Sequence, residues 1–160
     1  MKVNFLDLAG QNKKIKGEID LALKNATRRS DFILGKQVRL FEQEFARYCG
    51  LKYGIGLNSG TDALFLSLVA LGIGPGDEVI LPAFTFIATA NSVSYTGAKP
   101  VFVDIDDKTY NIDPNKIEKA ITKKTKAIIP VHLFGQCADM NSVMRIAKKY
   151  KLFVLEDCAQ

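Results

Sequence analysis

The chain has 160 residues, 48% of them hydrophobic, which is enough apolar material for a globular domain or for part of a larger protein. Its 22 basic residues exceed its 17 acidic residues, but the lysines alternate with acids in helical stretches such as KIEKAITKKTK. This pattern favours solvated helix faces, so we exclude disorder and nucleic-acid binding from the expected classes.

Cysteine usage and the amino terminus predict a cytoplasmic protein without a metal site. Cys49, Cys137 and Cys158 are widely spaced and form no metal-ligand pattern with the single histidine, His132. Reduced thiols are the simplest interpretation. The opening MKVNFLDLAGQNKKIK has no apolar core of the signal-peptide type, and no apolar run approaches the about 20 residues that a membrane helix needs.

Residues 1–50 are predicted to form an N-terminal helical segment. After an extended opening, helical spacing of Ile15, Ile19 and Leu23 predicts a helix over 13–27. A second amphipathic helix is predicted over 38–48, and it ends before Gly50.

From residue 51 onwards, short apolar runs alternate with helical stretches. The runs predict strands at 53–58, 78–82, 100–105, 126–134 and 152–157, and the stretches between them predict helices at 62–71, at 87–95, after Asp113-Pro114 and at 140–150. Apolar strands that alternate with helices predict an α/β fold, with a mostly parallel sheet and helices on both faces. The last predicted strand is apolar, as strands in the middle of a parallel sheet are. We therefore expect residues 51–160 to be an incomplete α/β domain and the chain to be an N-terminal fragment.

Ligands of parallel α/β sheets bind beyond the carboxyl ends of the strands, where Ser59-Gly60-Thr61 follows the first predicted strand. These residues offer N–H groups and hydroxyls at a helix N-terminus, which suits a phosphate. Helix capping explains the same residues, and taken alone it is the better explanation. The segment GIGLNSG matches neither a P-loop nor the dinucleotide GxGxxG motif.

Two further features are predicted at the same edge. The stretch AFTF contains Phe84 and Phe86, which are either core residues or, for Phe86, a ring that stacks on a planar ligand. Asp157 ends the last strand, where an acid caps a helix, pairs with a base or holds a proton on a ring nitrogen. A phosphate cradle, a stacking ring and a buried acid together predict a pocket for pyridoxal phosphate, whose protonated ring acts as an electron sink.

The chain resembles the DegT/DnrJ/EryC1/StrS family of sugar-nucleotide aminotransferases, which are fold-type I enzymes that use pyridoxal phosphate. The resemblance covers nearly the whole chain and includes NSGTDAL, LGIGPGDEVILPAFTFIATANSV, GAKPVFVDID and LFVLEDCAQ. It implies that Gly60 and Thr61 bind the cofactor phosphate and that Phe86 stacks on the pyridine ring. It also implies that Asp157 pairs with the ring nitrogen and that Gln160 reaches the ring hydroxyl.

The chain departs from the family pattern at two places. Cys158 stands where alanine is usual, and the family's Schiff-base lysine lies in a part beyond Gln160. The resemblance therefore implies that this chain contains no catalytic residue and is inactive alone.

For the full-length protein, the resemblance implies a homodimer that transfers an amino group from glutamate to a nucleotide-linked keto-6-deoxyhexose. The stretch HLFGQ is more similar to members that aminate C3 than to HYAG-type members that aminate C4. Two alternatives remain open: a sugar-nucleotide 3-dehydratase with histidine in place of the lysine, and a non-catalytic truncated remnant.

Overall fold

The structure is a computed structural model that describes residues 5–160, and the chain divides into two compact units at residues 56 and 57. The sequence predicts a boundary after residue 50. That residues 1–50 form an N-terminal helical segment and residues 51–160 an incomplete domain stays a prediction. Within the described residues, no helix combines the length and the apolar character that crossing a membrane requires.

The first unit contains two helices, α1 (Leu8–Arg29) and α2 (Lys36–Tyr48). Helix α1 begins earlier than predicted because Asp7 caps it, accepting a hydrogen bond from the Gly10 N–H at 2.9 Å. The predicted extended opening is therefore wrong from residue 8 onwards, and residues 1–4 lie outside the described part of the chain.

The strand predicted at 53–58 is wrong, since these residues form no ladder. The Gly56 N–H donates instead to Glu42 Oε1 at 2.8 Å, and a Cβ on Gly54 would lie 2.5 Å from the Glu42 carbonyl oxygen. An alternating apolar pattern specifies a strand only where a neighbouring strand supplies hydrogen-bond partners. Here the Glu42 side chain of α2 supplies one such partner, and Tyr53 and Ile55 remain exposed.

The second unit is a parallel four-stranded sheet with helices on both faces, which confirms the predicted α/β fold. The strand order is β2-β1-β3-β4. The strands are β1 (Glu78–Pro82), β2 (Lys99–Val103), β3 (Thr125–Ile128) and β4 (Phe153–Val154). The helices are α3 (Gly60–Ala70), α4 (Ile87–Tyr95), α5 (Pro114–Ala120) and α6 (Met140–Tyr150).

Two hydrophobic clusters cover the two faces of this sheet. Alternate residues of β1 point to opposite faces, with Val79 and Leu81 in one cluster and Ile80 in the other. Helices α3 and α4 supply Leu64, Leu68, Ala90 and Val93 to the first cluster. Helices α5 and α6 supply Ile117, Val143, Ile146 and Ala147 to the second. The packed layers fix the carboxyl edge of the sheet, where the loops to α4 and the residues after β4 lie.

Strands β3 and β4 are shorter than predicted, but their pairing continues beyond them. The Leu155 N–H donates to the Ile128 carbonyl at 3.0 Å, and the Asp157 N–H donates to the Pro130 carbonyl at 2.9 Å. Pro130 has no N–H to donate, so one bond of the ladder is missing there, and a parallel bridge between Val131 and Asp157 follows it. These bonds fix the backbone of Asp157 at the edge of the sheet.

Candidate functional site

One cavity of about 220 Å³ at the carboxyl edge of the sheet is lined by all five residues that the sequence singled out. They come from three segments, the start of α3, the β1–α4 loop and the residues after β4. The five residues are Gly60, Thr61, Phe86, Asp157 and Gln160. The cavity is apolar for the most part, with the Asp157 carboxylate as a buried charged group in its wall.

A wider hollow of about 540 Å³ lies in the first unit, along α2 and the residues that follow it. Arg39, Glu42, Arg47 and Lys52 line it, so charges of both signs face solvent there. Such a surface is typical of a solvated helix face, and it brings together no buried titratable group. The smaller cavity is therefore the candidate site.

At the start of α3, one residue caps the helix and two others line the cavity. Ser59 has an extended backbone, and its hydroxyl oxygen accepts a hydrogen bond from the Asp62 N–H at 3.1 Å, so Ser59 is a helix cap. The N–H groups of Gly60 and Thr61 have no acceptor among residues 5–160. These two donors line the cavity at the positive end of the helix dipole.

Asp157 is held rigidly, with 7% of its surface exposed. Its Oδ2 accepts a hydrogen bond from the Thr89 hydroxyl at 2.8 Å, and its Oδ1 accepts one from the Ala159 N–H at 3.2 Å. Its backbone carbonyl accepts a bond from the His132 N–H at 3.1 Å. A buried carboxylate with fixed oxygens presents its remaining lone pairs in a defined direction.

The structure distinguishes the two aromatic residues of the β1–α4 loop. Phe86 is the N-cap residue of α4, it is 69% exposed, and it lines the cavity. Phe84 contacts the rings of Tyr110 and Phe134, with centroids 5.8 and 6.4 Å away. Neither ring is a core residue, since Phe84 is also exposed, which corrects that interpretation of the sequence.

A possible metal centre near this edge is better explained by a hydrogen bond. The ligand atoms of His132, Glu156 and Cys158 lie within 4.8 Å of one another. His132 Nδ1 accepts a bond from the Ala138 N–H at 3.1 Å, so the ring proton is on Nε2, which donates to Glu156 Oε2 at 2.9 Å. A metal on Nε2 would require the proton on Nδ1 and would break the bond from Ala138.

Sequence reasoning missed two threonines that line the same cavity, Thr85 and Thr89. Their hydroxyl oxygens are 2.9 Å apart, and Thr89 bonds Asp157. Both lie in the stretch AFTFIAT, where the aromatic residues carried the argument. Two hydroxyl residues four positions apart across a helix start were the available signal, since such side chains meet on one face.

The fold and the cavity define an α/β protein with a ligand site beyond the carboxyl ends of parallel strands. The model of the DegT/DnrJ/EryC1/StrS aminotransferase family matches residues 13–160. The chain therefore belongs to this family, which confirms the resemblance seen in the sequence. Aminotransferases of this family depend on pyridoxal phosphate, and solved relatives carry the cofactor in its aldehyde or amine form.

Three relatives show how far the similarity extends. The chain is 54% identical over its full length to a "pleiotropic regulatory protein" of Geobacillus stearothermophilus, and covers 43% of that protein. It is 51% identical over 99% of its length to a UDP-2-acetamido-2-deoxy-3-oxo-D-glucuronate aminotransferase of Pseudomonas aeruginosa, covering 44% of it. The crystal structure of DesV from S. venezuelae superposes with a TM-score of 0.97 at 45% identity, over 99% of this chain and 43% of that one. The chain thus spans less than half the length of these relatives.

Proposed function

We propose that this chain forms the cofactor-binding part of a pyridoxal-phosphate-dependent aminotransferase that acts on a nucleotide-linked keto-sugar. One observation carries the proposal. The unpaired N–H groups of Gly60 and Thr61 and the buried carboxylate of Asp157 line the same cavity. An anion site and a cation site within one small cavity suit a ligand that carries a phosphate at one end and a protonated ring at the other.

The donor set fits the cofactor. The N–H groups of Gly60 and Thr61 would donate to phosphate oxygens, the Phe86 ring would stack on the pyridine ring, and Gln160 would donate to the ring hydroxyl. The cavity volume of about 220 Å³ is below the range of about 300–1,000 Å³ for drug-sized ligands. We therefore expect the small cofactor inside the cavity and the nucleotide-linked substrate outside it.

Asp157 would hold a proton on the pyridine nitrogen, because an ionised carboxylate only accepts hydrogen bonds. When bound, the protonated ring supplies an electron sink that lets a proton leave the carbon that bears the amine. Burial of Asp157 excludes water from this hydrogen bond and strengthens it. The side chains of Phe86 and Leu64 would keep the ring in an apolar environment.

The base and nucleophile of the reaction would come from outside this chain. Among the described residues that line the cavity there is no lysine. Transamination of this type needs a lysine that bonds the cofactor and moves a proton. We propose that residues 1–160 alone do not transaminate, and that histidine at the lysine position would make the protein a dehydratase instead.

The finer assignment is C3 of a keto-6-deoxyhexose, with glutamate as amino donor and a homodimer as the active unit. The stretch HLFGQ supports amination at C3. The name of the Pseudomonas aeruginosa relative describes a 3-oxo sugar, which supports amination at C3 as well. Analysis of the amino-sugar product would distinguish C3 from C4.

The test uses the full-length protein loaded with pyridoxal phosphate. We expect glutamate alone to remove the absorption band of the bound cofactor near the visible edge. Asp157→Asn should lower turnover by about 10- to 100-fold, because asparagine lacks the negative charge that would keep the pyridine nitrogen protonated. Cys158→Ala, which changes the exposed neighbour, is the matched control and should cost less than about threefold. An unchanged spectrum with glutamate contradicts the donor, and equal losses in the two variants contradict the role of Asp157.

A further inference from the structure

We propose that Thr89 is a positioning residue for Asp157, at the end of a directed hydrogen-bond chain that begins at Thr85. This inference rests on the proposed function, since it concerns how the acid is held toward the ring nitrogen of the cofactor. The contact itself is in the structure, where the Thr89 hydroxyl lies 2.8 Å from Asp157 Oδ2. The two residues are 68 positions apart in the chain, so only the fold brings them together.

The surroundings of Thr89 favour this bond. Thr89 is fully buried, and it lies in the first turn of α4, where its N–H donates to the Phe86 carbonyl at 3.1 Å. A buried hydroxyl without a partner is costly, so its proton must go to an available acceptor. Asp157 Oδ2 is such an acceptor, and the positive end of the α4 dipole favours a carboxylate at this place.

The direction of the chain follows from counting protons. A hydroxyl carries one proton, and an ionised carboxylate carries none. Thr89 therefore donates its proton to Asp157, which leaves it as the acceptor in the 2.9 Å contact with Thr85. Thr85 must be the donor, so both hydroxyl protons point toward the carboxylate. Hydrogen bonds aligned in this way polarise and strengthen one another.

As a consequence, each carboxylate oxygen of Asp157 has its own hydrogen-bond donor. Oδ2 is bound by Thr89 and Oδ1 by the Ala159 N–H, so rotation of the carboxylate would break both bonds. Because Asp157 lines the cavity, the lone pairs that remain are available to a ligand there. Loss of the Thr89 hydroxyl removes one of the two anchors, and the acid then no longer holds one orientation toward a ring nitrogen.

The test compares Thr89→Val, which keeps the shape and removes the hydroxyl, with Thr89→Ser, which keeps the hydroxyl. Ser92→Ala is the matched control, because Ser92 is equally buried in α4 but donates to the Thr89 carbonyl, at 2.8 Å, and not to Asp157. The full-length proteins are titrated with pyridoxal phosphate, and ¹⁵N NMR with cofactor labelled at the ring nitrogen reports the protonation of that nitrogen.

We expect Thr89→Val to weaken cofactor binding about tenfold and to shift the ¹⁵N signal toward the unprotonated ring. Thr89→Ser should restore both readouts, and Ser92→Ala should leave both unchanged, whatever its stability. If Thr89→Val does not fold, Thr85→Val removes the distal donor and should shift the ¹⁵N signal in the same direction.

Wild-type affinity and an unshifted ¹⁵N signal in Thr89→Val, or in Thr85→Val where that variant replaces it, overturn the inference alone. A wild-type protein that does not bind pyridoxal phosphate overturns the proposed function, and the inference with it. Equal effects of Thr89→Val and Ser92→Ala on affinity and on the ¹⁵N signal mean that the hydroxyl is only structural, which also overturns the inference.

Discussion

At Gly60, the folding of α3 and the proposed binding of a ligand have different requirements. A Cβ added there would meet no atom within 4 Å, and the residue does not have the positive φ that glycine favours. The chain itself therefore does not require glycine at this position, whereas a phosphate approaching the adjacent N–H groups would. Stability and cofactor affinity can thus be measured separately at one residue.

We predict that Gly60→Ala weakens binding of pyridoxal phosphate by about tenfold and does not lower the unfolding temperature of the cofactor-free protein, because alanine is favoured over glycine in a helix. The Cβ would occupy the space that phosphate oxygens need beside the N–H groups of residues 60 and 61. Isothermal titration of the full-length protein with pyridoxal phosphate and with pyridoxal measures the effect. Equal weakening for both compounds would mean that the phosphate does not bind at this helix end.

At the same scale, the sequence identified residues whose chemistry is visible in isolation and missed those that act through a partner. An acid at a strand end and an aromatic in a loop are recognisable from local pattern, and Asp157 and Phe86 were singled out for that reason. Thr89 was not, because a threonine in the first turn of a helix has an ordinary structural explanation. Its partner Asp157 lies 68 residues away in the sequence, and only the folding of the chain brings the two side chains together.

At the scale of elements, prediction succeeded where local signals and tertiary contacts agree. The observed bounds of α4 and α6 match the predicted 87–95 and 140–150, and β1 matches 78–82. The strand at 53–58 was wrong because its apolar alternation specifies a face but supplies no hydrogen-bond partner. Glu42 instead accepts a hydrogen bond from one N–H of this segment, that of Gly56, and the sequence pattern does not reveal this contact.

The cap of α6 gives a prediction about pH. The Asp139 carboxylate accepts a hydrogen bond from the Ser142 N–H at 3.1 Å. Hydrogen bonds from the side chain and then the backbone of Ser142 hold the pKa of Asp139 below its ordinary value of 3.8. A carboxyl group whose folded-state pKa is lowered contributes stability above the unfolded-state pKa. It loses that contribution as the pH falls through the folded-state value.

We therefore expect Asp139→Ala to lower the unfolding temperature of the full-length protein at pH 7 by about 1–2 °C, and this difference from wild type to shrink below pH 3.8. Asp139→Asn is the control, because asparagine caps helices as well as aspartate does and does not titrate. The difference between the Asn and Ala variants should stay constant with pH. Thermal melts of the full-length proteins from pH 7 to pH 3 measure both differences, and a wild-type advantage that does not depend on pH would contradict the role of the charge.

At the scale of the whole molecule, the chain carries the cavity proposed for the cofactor but only part of the length of its relatives. Its identity to them reaches 54%, yet it covers 43% of the first of these proteins. The cavity contains groups suited to a phosphate, a flat ring and a ring nitrogen, and among its described lining residues none is a primary amine. We therefore propose that this part of the protein binds the cofactor and that another part supplies the lysine that reacts with it.

This division predicts where the cofactor is covalently attached. In the full-length protein loaded with pyridoxal phosphate, borohydride reduction fixes the cofactor permanently to the lysine that bonds it. We expect peptide mass spectrometry to find one modified lysine, outside residues 1–160, because none of the lysines in the described part of the chain lines the cavity. Asp157→Asn, which leaves that lysine intact, is the control and should be labelled at the same position. A label on a lysine within residues 1–160 would contradict the division, and labelling of no lysine would favour the alternative in which histidine occupies that position.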